Sequence, residues 1–172
     1  MVLAVALVLS ATGCSAAATP APSSASTTTL AVLSGAPPRV DLIGKAIAAL
    51  EAQLGAPQQY FEINATSQLV NLFVSLNGGK VVKPWVYLDG ELSSTEGHDA
   101  SGFTFAKTAL DFDPAKVLSH VQSELSQSKP DAFIIEAGQG GIVRYSVTVS
   151  SPQGGQLVVV VGPDGTVKSV DT

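Results

Sequence analysis

The chain has 172 residues, of which 45% are hydrophobic and 13% are charged, so it is too apolar for a disordered protein and long enough for one ordinary domain or two small units sharing a core. The formal net charge is −5, and the nine Lys and Arg residues are scattered, which argues against a nucleic-acid partner. The single cysteine, Cys14, excludes an internal disulfide and a cysteine-rich zinc site, and we expect neither a metal nor a cofactor.

Residues 1–13 begin with an entirely apolar stretch and end in small residues directly before Cys14. The stretch is too short to span a bilayer and has the length of a secretory leader. The pattern resembles the lipobox of bacterial lipoproteins, in which the cysteine thiol receives a diacylglyceryl group and the leader is cut before it. The resemblance implies a signal peptide at 1–13, a lipid anchor on Cys14, and attachment to the extracytoplasmic face of the cell membrane. The alternative is a plain secretory leader, cleaved near residues 16–18, with an incidental cysteine.

The segment 14–38 follows the cysteine and is dominated by Ala, Ser, Thr and Pro. Residues 15–29 carry no charge and no large side chain. Such a composition cannot bury enough surface to fold, so it predicts a flexible tether that holds a folded domain away from a surface.

The first folded unit, residues 39–96, begins with a predicted helix. Asp41 is the expected N-cap, apolar residues recur at helical spacing through Leu54, and Gly55 is the expected stop. Strands are predicted after it at residues 60–63, 69–76 and 81–88. Pro84 within the last of these suggests an edge strand or a bulge.

The second unit, residues 113–172, repeats this order. Asp113 and Pro114 predict a helix start, with a cap followed by proline at the first helical position. Strands are predicted at residues 133–136, 142–149, 157–161 and 166–170. Between the two units, residues 97–112 are expected to be a connector.

The two units match at a nearly constant offset, which indicates an internal repeat. Ile63 falls on Ile135 at an offset of 72, and the strand 70–76 falls on 143–149 at 73. The second unit, with its Tyr-x-Val-x-Val strand from Tyr145 and its closing Asp-Gly-Thr-Val from Asp164, resembles a PepSY-like domain, and the tandem is similar to beta-lactamase-inhibitor-like proteins. The resemblance implies an α+β fold of two α-β-β-β(-β) repeats. It implies an antiparallel sheet with one helix per repeat packed on one face, and a binding or inhibitory role without catalytic residues.

Candidate ligand-binding residues come from the strands. If the helices cover one face of the sheet, alternation leaves Phe73 and Arg144 on the other, where a protein or peptide can lie. Trp85 and Tyr87 share a face of the third strand beside Lys83 and are binding anchors if that face is exposed. The alternative is that both aromatic residues pack under a helix.

Catalytic chemistry has one weak candidate, the group of His98, Asp99 and Ser101. These residue types form catalytic triads, but triads are assembled from distant segments, so a solvated connector is the simpler interpretation and we expect no enzyme activity. His120 is expected at the surface of the second helix or at its boundary with the core.

Two functions therefore remain open. The first is a non-enzymatic, membrane-anchored module that binds an envelope protein or peptide and modulates an envelope enzyme. The second is a carrier of lipid or another hydrophobic ligand, which predicts an empty apolar pocket between sheet and helices.

Overall fold

The structure is a computed structural model that describes residues 35–171. The predicted leader, Cys14 and the tether up to residue 34 lie outside the described residues. Of the predicted tether, the last four residues are described, and Pro38 among them is buried. Within the described range, no helix has both the length and the apolar character needed to cross a membrane.

The first helix, α1, spans Ile43–Leu54 and follows a single 3-10 turn at Val40–Leu42. Gly55 ends it in the left-handed conformation, with φ of 73°, as predicted. The prediction that Asp41 is the N-cap is wrong, because its carboxylate makes no capping hydrogen bond. It is instead held by the Arg39 guanidinium, with Nη2 2.9 Å from Oδ2.

The second helix, α2, spans Val117–Glu124 and begins three residues after the predicted Pro114. Asp113 still orders the turn that leads into it, because its Oδ1 accepts the Ala115 N–H at 2.9 Å. The Asp113 N–H donates to the Pro163 carbonyl at 3.2 Å, which ties the start of the helix to a later hairpin turn.

All strand pairings in the described part of the chain are antiparallel, which with the two helices makes the fold α+β. The hydrogen-bonded order is β10-β9-β8-β7-β1-β2-β3-β4, with β5 paired to β3 and β6 paired to β1. The bounds are β1 Gln59–Thr66, β2 Val70–Leu76, β3 Val81–Leu88, β4 Glu91–Ser94, β5 His98–Asp99, β6 Phe105–Ala106, β7 Lys129–Ala137, β8 Val143–Ser150, β9 Gln156–Val161 and β10 Val167–Asp171.

The sequence did not predict β4, β5 or β6. These strands have two to four residues, too few for an alternating pattern to be recognised, and they exist because β3 and β1 offer backbone groups to pair with. Through the pairing of β5 with β3 and of β6 with β1, the connector is hydrogen-bonded to the first unit. Pro84 lies between the stretch of β3 that pairs with β4 and the stretch that pairs with β5.

One side of the sheet, here the core face, carries the hydrophobic core. The register aligns Leu72, Ile63, Ile135, Tyr145 and Val161 across β2, β1, β7, β8 and β9. Buried residues of both helices belong to the same cluster, so both helices cover this face. The cluster and the residues packed against it run from Val40 to Val167.

Two tyrosines in this core differ in how their hydroxyl groups are satisfied. The Tyr145 oxygen accepts the Asp111 N–H at 2.9 Å, whereas the buried Tyr60 hydroxyl has no hydrogen-bond partner among the described residues. Burial, followed by the charge and proximity of the Glu51 carboxylate, which lies near the hydroxyl without a hydrogen bond of normal geometry, raises the pKa of Tyr60 far above its usual value. Burial also raises the pKa of Tyr145.

Gly165 is a position where the fold needs glycine. Its φ is +90°, and a Cβ there would lie 2.8 Å from the Cα of Val117, at the start of α2. We expect Gly165→Ala to lower the free energy of unfolding by roughly 3 kcal/mol or more, from overpacking and backbone strain together. Gly90→Ala is the matched control, since its φ is +91° and no atom lies within 4 Å. It should cost about 1 kcal/mol, from strain alone. Urea denaturation measures both, and equal losses would contradict the packing of the hairpin turn on α2.

The two tyrosines yield a paired prediction at neutral pH. Tyr60→Phe removes an unpartnered buried hydroxyl, so stability at pH 7 should stay the same or rise by up to about 1 kcal/mol. Tyr145→Phe leaves the Asp111 N–H without its acceptor and should cost about 1 kcal/mol. Chemical denaturation of the two variants compares them directly.

The same tyrosines predict a loss of stability at high pH. A raised folded-state pKa keeps the phenol protonated where the unfolded chain has released its proton. The stabilisation is therefore complete below the ordinary tyrosine pKa of about 10, and it is lost as pH rises toward the raised value, by up to ~1.4 kcal/mol per pH unit for each tyrosine. Denaturation between pH 8 and 11 should show a shallower decline in Tyr60→Phe than in the parent chain; an identical decline would contradict it.

Candidate functional site

The second side of the sheet, here the open face, is covered by neither helix. Strand alternation places on it the residues between the core positions, and the register aligns them across the strands. Its members include two predicted binding residues, Phe73 and Arg144. The remainder of its central part consists of Glu62, Asn64, Asn71, Pro84, Val86, Ala132, Ile134, Glu136, Ser146 and Thr148.

One row of the open face carries most of its charge. It runs Pro84, Phe73, Glu62, Glu136, Arg144 across β3, β2, β1, β7 and β8. Arg144 Nη2 donates to Glu136 Oε2 at 3.0 Å. The two carboxylates face each other across the β1–β7 pair, and like charges in that position repel. The row therefore holds one ion pair and one further negative charge.

The neighbouring row holds the Glu62 carboxylate through amides. Asn71 Nδ2 donates to Asn64 Oδ1 at 2.6 Å, and Asn64 Nδ2 donates to Glu62 Oε1 at 2.7 Å. This chain of hydrogen bonds fixes the direction of the carboxylate without neutralising it. The Glu62 carboxylate therefore lies in an ordered position, and the groups that order it are neutral amides.

A recess of about 360 Å³, here the notch, opens beside these carboxylates. It is lined by the rings of Phe61 and Phe103, by Glu62, Glu136 and Arg144, and by residues 102 and 137–138. Phe61 lies at a register shift between β1 and β2, where one extra residue turns its side chain out of the normal alternation. The connector crosses above it, since a Cβ on Gly102 would lie 3.8 Å from the Phe61 ring.

Two exposed apolar residues lie at or next to the notch: Phe103 lines it, and Ile142 accepts a backbone hydrogen bond from Gly138 in its lining. Phe103 in the connector is 53% exposed, and Ile142, just before β8, is 70% exposed. Large apolar groups that project into solvent next to ordered charges are typical of a surface that docks a partner.

Trp85 and Tyr87 do not belong to this surface. The register sets Trp85 opposite Leu72 and Tyr87 opposite Val70, which places both on the core face at 6% and 9% exposure. Both were expected to be binding anchors only if their face of the strand is exposed, and that face is buried. Their position agrees with the alternative that they pack under a helix. Lys83 Nζ lies 5.1 Å from the centroid of the Trp85 ring.

The residues of triad type lie apart from any built site. His98, Asp99 and Ser101 are exposed, and β5 holds the first two along the edge of β3. No hydrogen bond is found among their side chains in the described range. His120 is exposed on α2, as expected, and residues 35–171 contain no group of three side chains placed to hold a metal ion.

The space between sheet and helices is filled in the described part of the chain. Ile63, Leu72 and Phe133 are fully buried there, so the empty pocket predicted for a carrier is not found. A cleft of about 540 Å³ lies instead at the border of α2, the start of β7 and residues 35–37. Its lining mixes Leu118 and Pro130 with Gln122 and Lys129.

Sequence reasoning missed four residues of the notch: Phe61, Glu62, Phe103 and Glu136. The two glutamates alternate with core residues in their strands, and that pattern was a usable signal for the open face. The register shift at Phe61 and the path of the connector over it left no such signal, because both depend on pairing with other strands.

Comparison with known proteins identifies no relative: no family model, no curated protein and no solved structure matches the chain significantly. Neither the lipobox nor the PepSY-like repeats therefore receive support from a relative. What the chain does has to follow from its own residues and their geometry.

Proposed function

We propose that the protein is an exported, lipid-anchored module that binds a protein or peptide of the cell envelope on the open face of its sheet, without catalysis. The observation that carries the proposal is the composition of that face. It combines ordered charges, Glu62 and the Glu136–Arg144 pair, with Phe73 and the exposed Phe103 and Ile142, and neither helix covers it. A filled core behind the sheet favours recognition on the surface over storage of a ligand inside.

The two-repeat architecture is part of the proposal. Each half consists of one helix followed by strands that pair consecutively and antiparallel. With the β1–β7 pair at the centre of the sheet, the strands of one half are ordered outward from β1 to β4 and those of the other half outward from β7 to β10. Ile63 and Ile135, equivalent at the offset of 72, are register partners in that pair. A pseudo-two-fold axis through this pairing accounts for both facts and supports two PepSY-like repeats joined edge to edge.

The carrier of a hydrophobic ligand is the second candidate, and the cleft beside α2 is the feature that favours it. Its volume of about 540 Å³ lies in the range of small-molecule sites, which is about 300–1,000 Å³. The polar groups in its lining make it a weaker site for a lipid than an enclosed apolar cavity. Native mass spectrometry of the detergent-free chain separates the candidates, because a bound lipid appears as a discrete added mass that organic extraction removes.

The proposed anchor predicts a specific modification. When the chain is produced in a bacterium that exports and lipidates proteins, mass spectrometry of the mature N-terminus should find Cys14 as the first residue, carrying a diacylglyceryl group. The chain should also partition into detergent. Cys14→Ser should release the chain into the medium with its fold intact. A mature chain that begins near residues 16–18 would contradict the anchor and support the plain secretory leader.

The proposed binding face predicts site-dependent crosslinking. A photo-reactive benzoyl-phenylalanine at Phe73 in the exporting cell should form one adduct of discrete mass, because Phe73 lies in the charged row of the open face. The control is the same group at Leu54, an exposed position near the end of α1 on the opposite side of the sheet.

The adduct supports the proposal only if it depends on the face. It should be absent from the Leu54 variant and should fall several-fold when Phe103→Ala is added, since Phe103 projects beside the notch. The same adduct from both positions, or no loss with Phe103→Ala, would overturn the open face as the binding surface.

A further inference from the structure

The notch has a charge and shape that select one kind of group. Its three charged side chains are two carboxylates and one guanidinium, and the guanidinium of Arg144 is already paired with Glu136. Among the described residues no lysine or arginine pairs with Glu62, whose amide partner Asn64 is neutral. The recess is therefore an ordered site with one uncompensated negative charge.

The aromatic residues add a second preference. Phe61 and Phe103 line the same recess as Glu62, and the face of a phenyl ring attracts a cation that lies against it. A planar guanidinium can accept both features at once, since its edge donates two hydrogen bonds to a carboxylate while its face stacks on a ring. The volume of about 360 Å³ exceeds what one such side chain needs.

We infer that the notch receives an arginine side chain presented by the bound protein or peptide, with Glu62 as its carboxylate acceptor and Phe61 and Phe103 as its aromatic walls. The inference rests on the proposed binding role of the open face and specifies the chemistry of the partner. The partner is expected to present a basic residue flanked by apolar ones, to match Ile142 and Phe103 around the notch.

Charge disfavours two symmetric face-to-face pairings of this surface with a second copy of the chain. If two copies meet face to face about an axis through the notch and along the strands, Glu62 of each lies over Glu136 of the other. If the axis runs across the strands, each carboxylate lies over the same carboxylate of the other copy. Both arrangements bring negative charges together and are disfavoured, whereas a cationic partner neutralises the excess negative charge of the notch.

The test uses a small probe and does not require the partner. N-acetyl-arginine methylamide is titrated into the ¹⁵N-labelled chain lacking residues 1–14, which retains the hydrophobic cluster from Val40 to Val167, and the amide shifts are followed by NMR. We expect saturable shifts at residues 61–62, 102–103 and 136–138, with a dissociation constant on the order of millimolar. The citrulline analogue has the same shape without the charge and should bind at least about tenfold more weakly.

Variants locate the site. Glu62→Gln keeps an oxygen for the Asn64 hydrogen bond but removes the charge, and it should weaken the arginine probe about tenfold. Phe103→Ala removes an exposed side chain and should weaken it several-fold. Glu91→Gln on β4 is the matched control, which changes the net charge equally at an exposed position outside the notch and should leave binding unchanged.

Equal binding of the arginine and citrulline probes overturns the inference. So do shifts that map away from the notch, equal effects of Glu62→Gln and Glu91→Gln, or no binding at all. None of these outcomes tests whether the open face binds a partner. The crosslinking experiment tests that separately, because it detects the partner itself and not a free cation. Crosslinking without probe binding retains the proposed function and rules out the arginine site. Probe binding without crosslinking retains a cation site in the notch and rules out the open face as the surface that binds a partner.

Discussion

The antiparallel pairing of β1 with β7 holds the rest of the structure in place. It joins two halves of about 60 residues, each of which would bury only a marginal core alone. The register sets Ile63 opposite Ile135, so the apolar faces of both halves lie on the same side of one sheet. Two short helices are then enough to cover a single core that reaches from Val40 to Val167. A slip of one residue in this pairing would turn one half of the core toward solvent.

The same pairing creates the candidate site. With Ile63 and Ile135 directed into the core, their neighbours Glu62 and Glu136 must lie side by side on the open face. Repulsion between them is reduced on one side by Arg144 and is left uncompensated on the other, where only amides support Glu62. The arrangement costs the folded chain a small electrostatic repulsion. It also leaves an ordered charge for a partner to neutralise, which links the central fold contact to the proposed binding role.

The connector between the halves completes the surface. Through β5 and β6 it follows the edges of β3 and β1, and it carries Phe103 to a position beside Phe61 and the carboxylates. The residues His98, Asp99 and Ser101, which by type suggested catalysis, are exposed along this path. The connector therefore contributes to the notch through two residues. Phe103 supplies an aromatic side chain, and Gly102 lies next to the ring of Phe61.

Local periodicity and turn chemistry were enough to predict the class of the fold, the approximate position of both helices and the main strands, and the placement of Phe73 and Arg144 away from the core. The remaining features depend on contacts between distant segments, which no local pattern specifies. Trp85 and Tyr87 entered the core because the β2–β3 register set them opposite Leu72 and Val70. Asp41 paired with Arg39 instead of capping a helix. The notch arose from a register shift and a crossing connector, and neither is encoded in the spacing of residues along one strand.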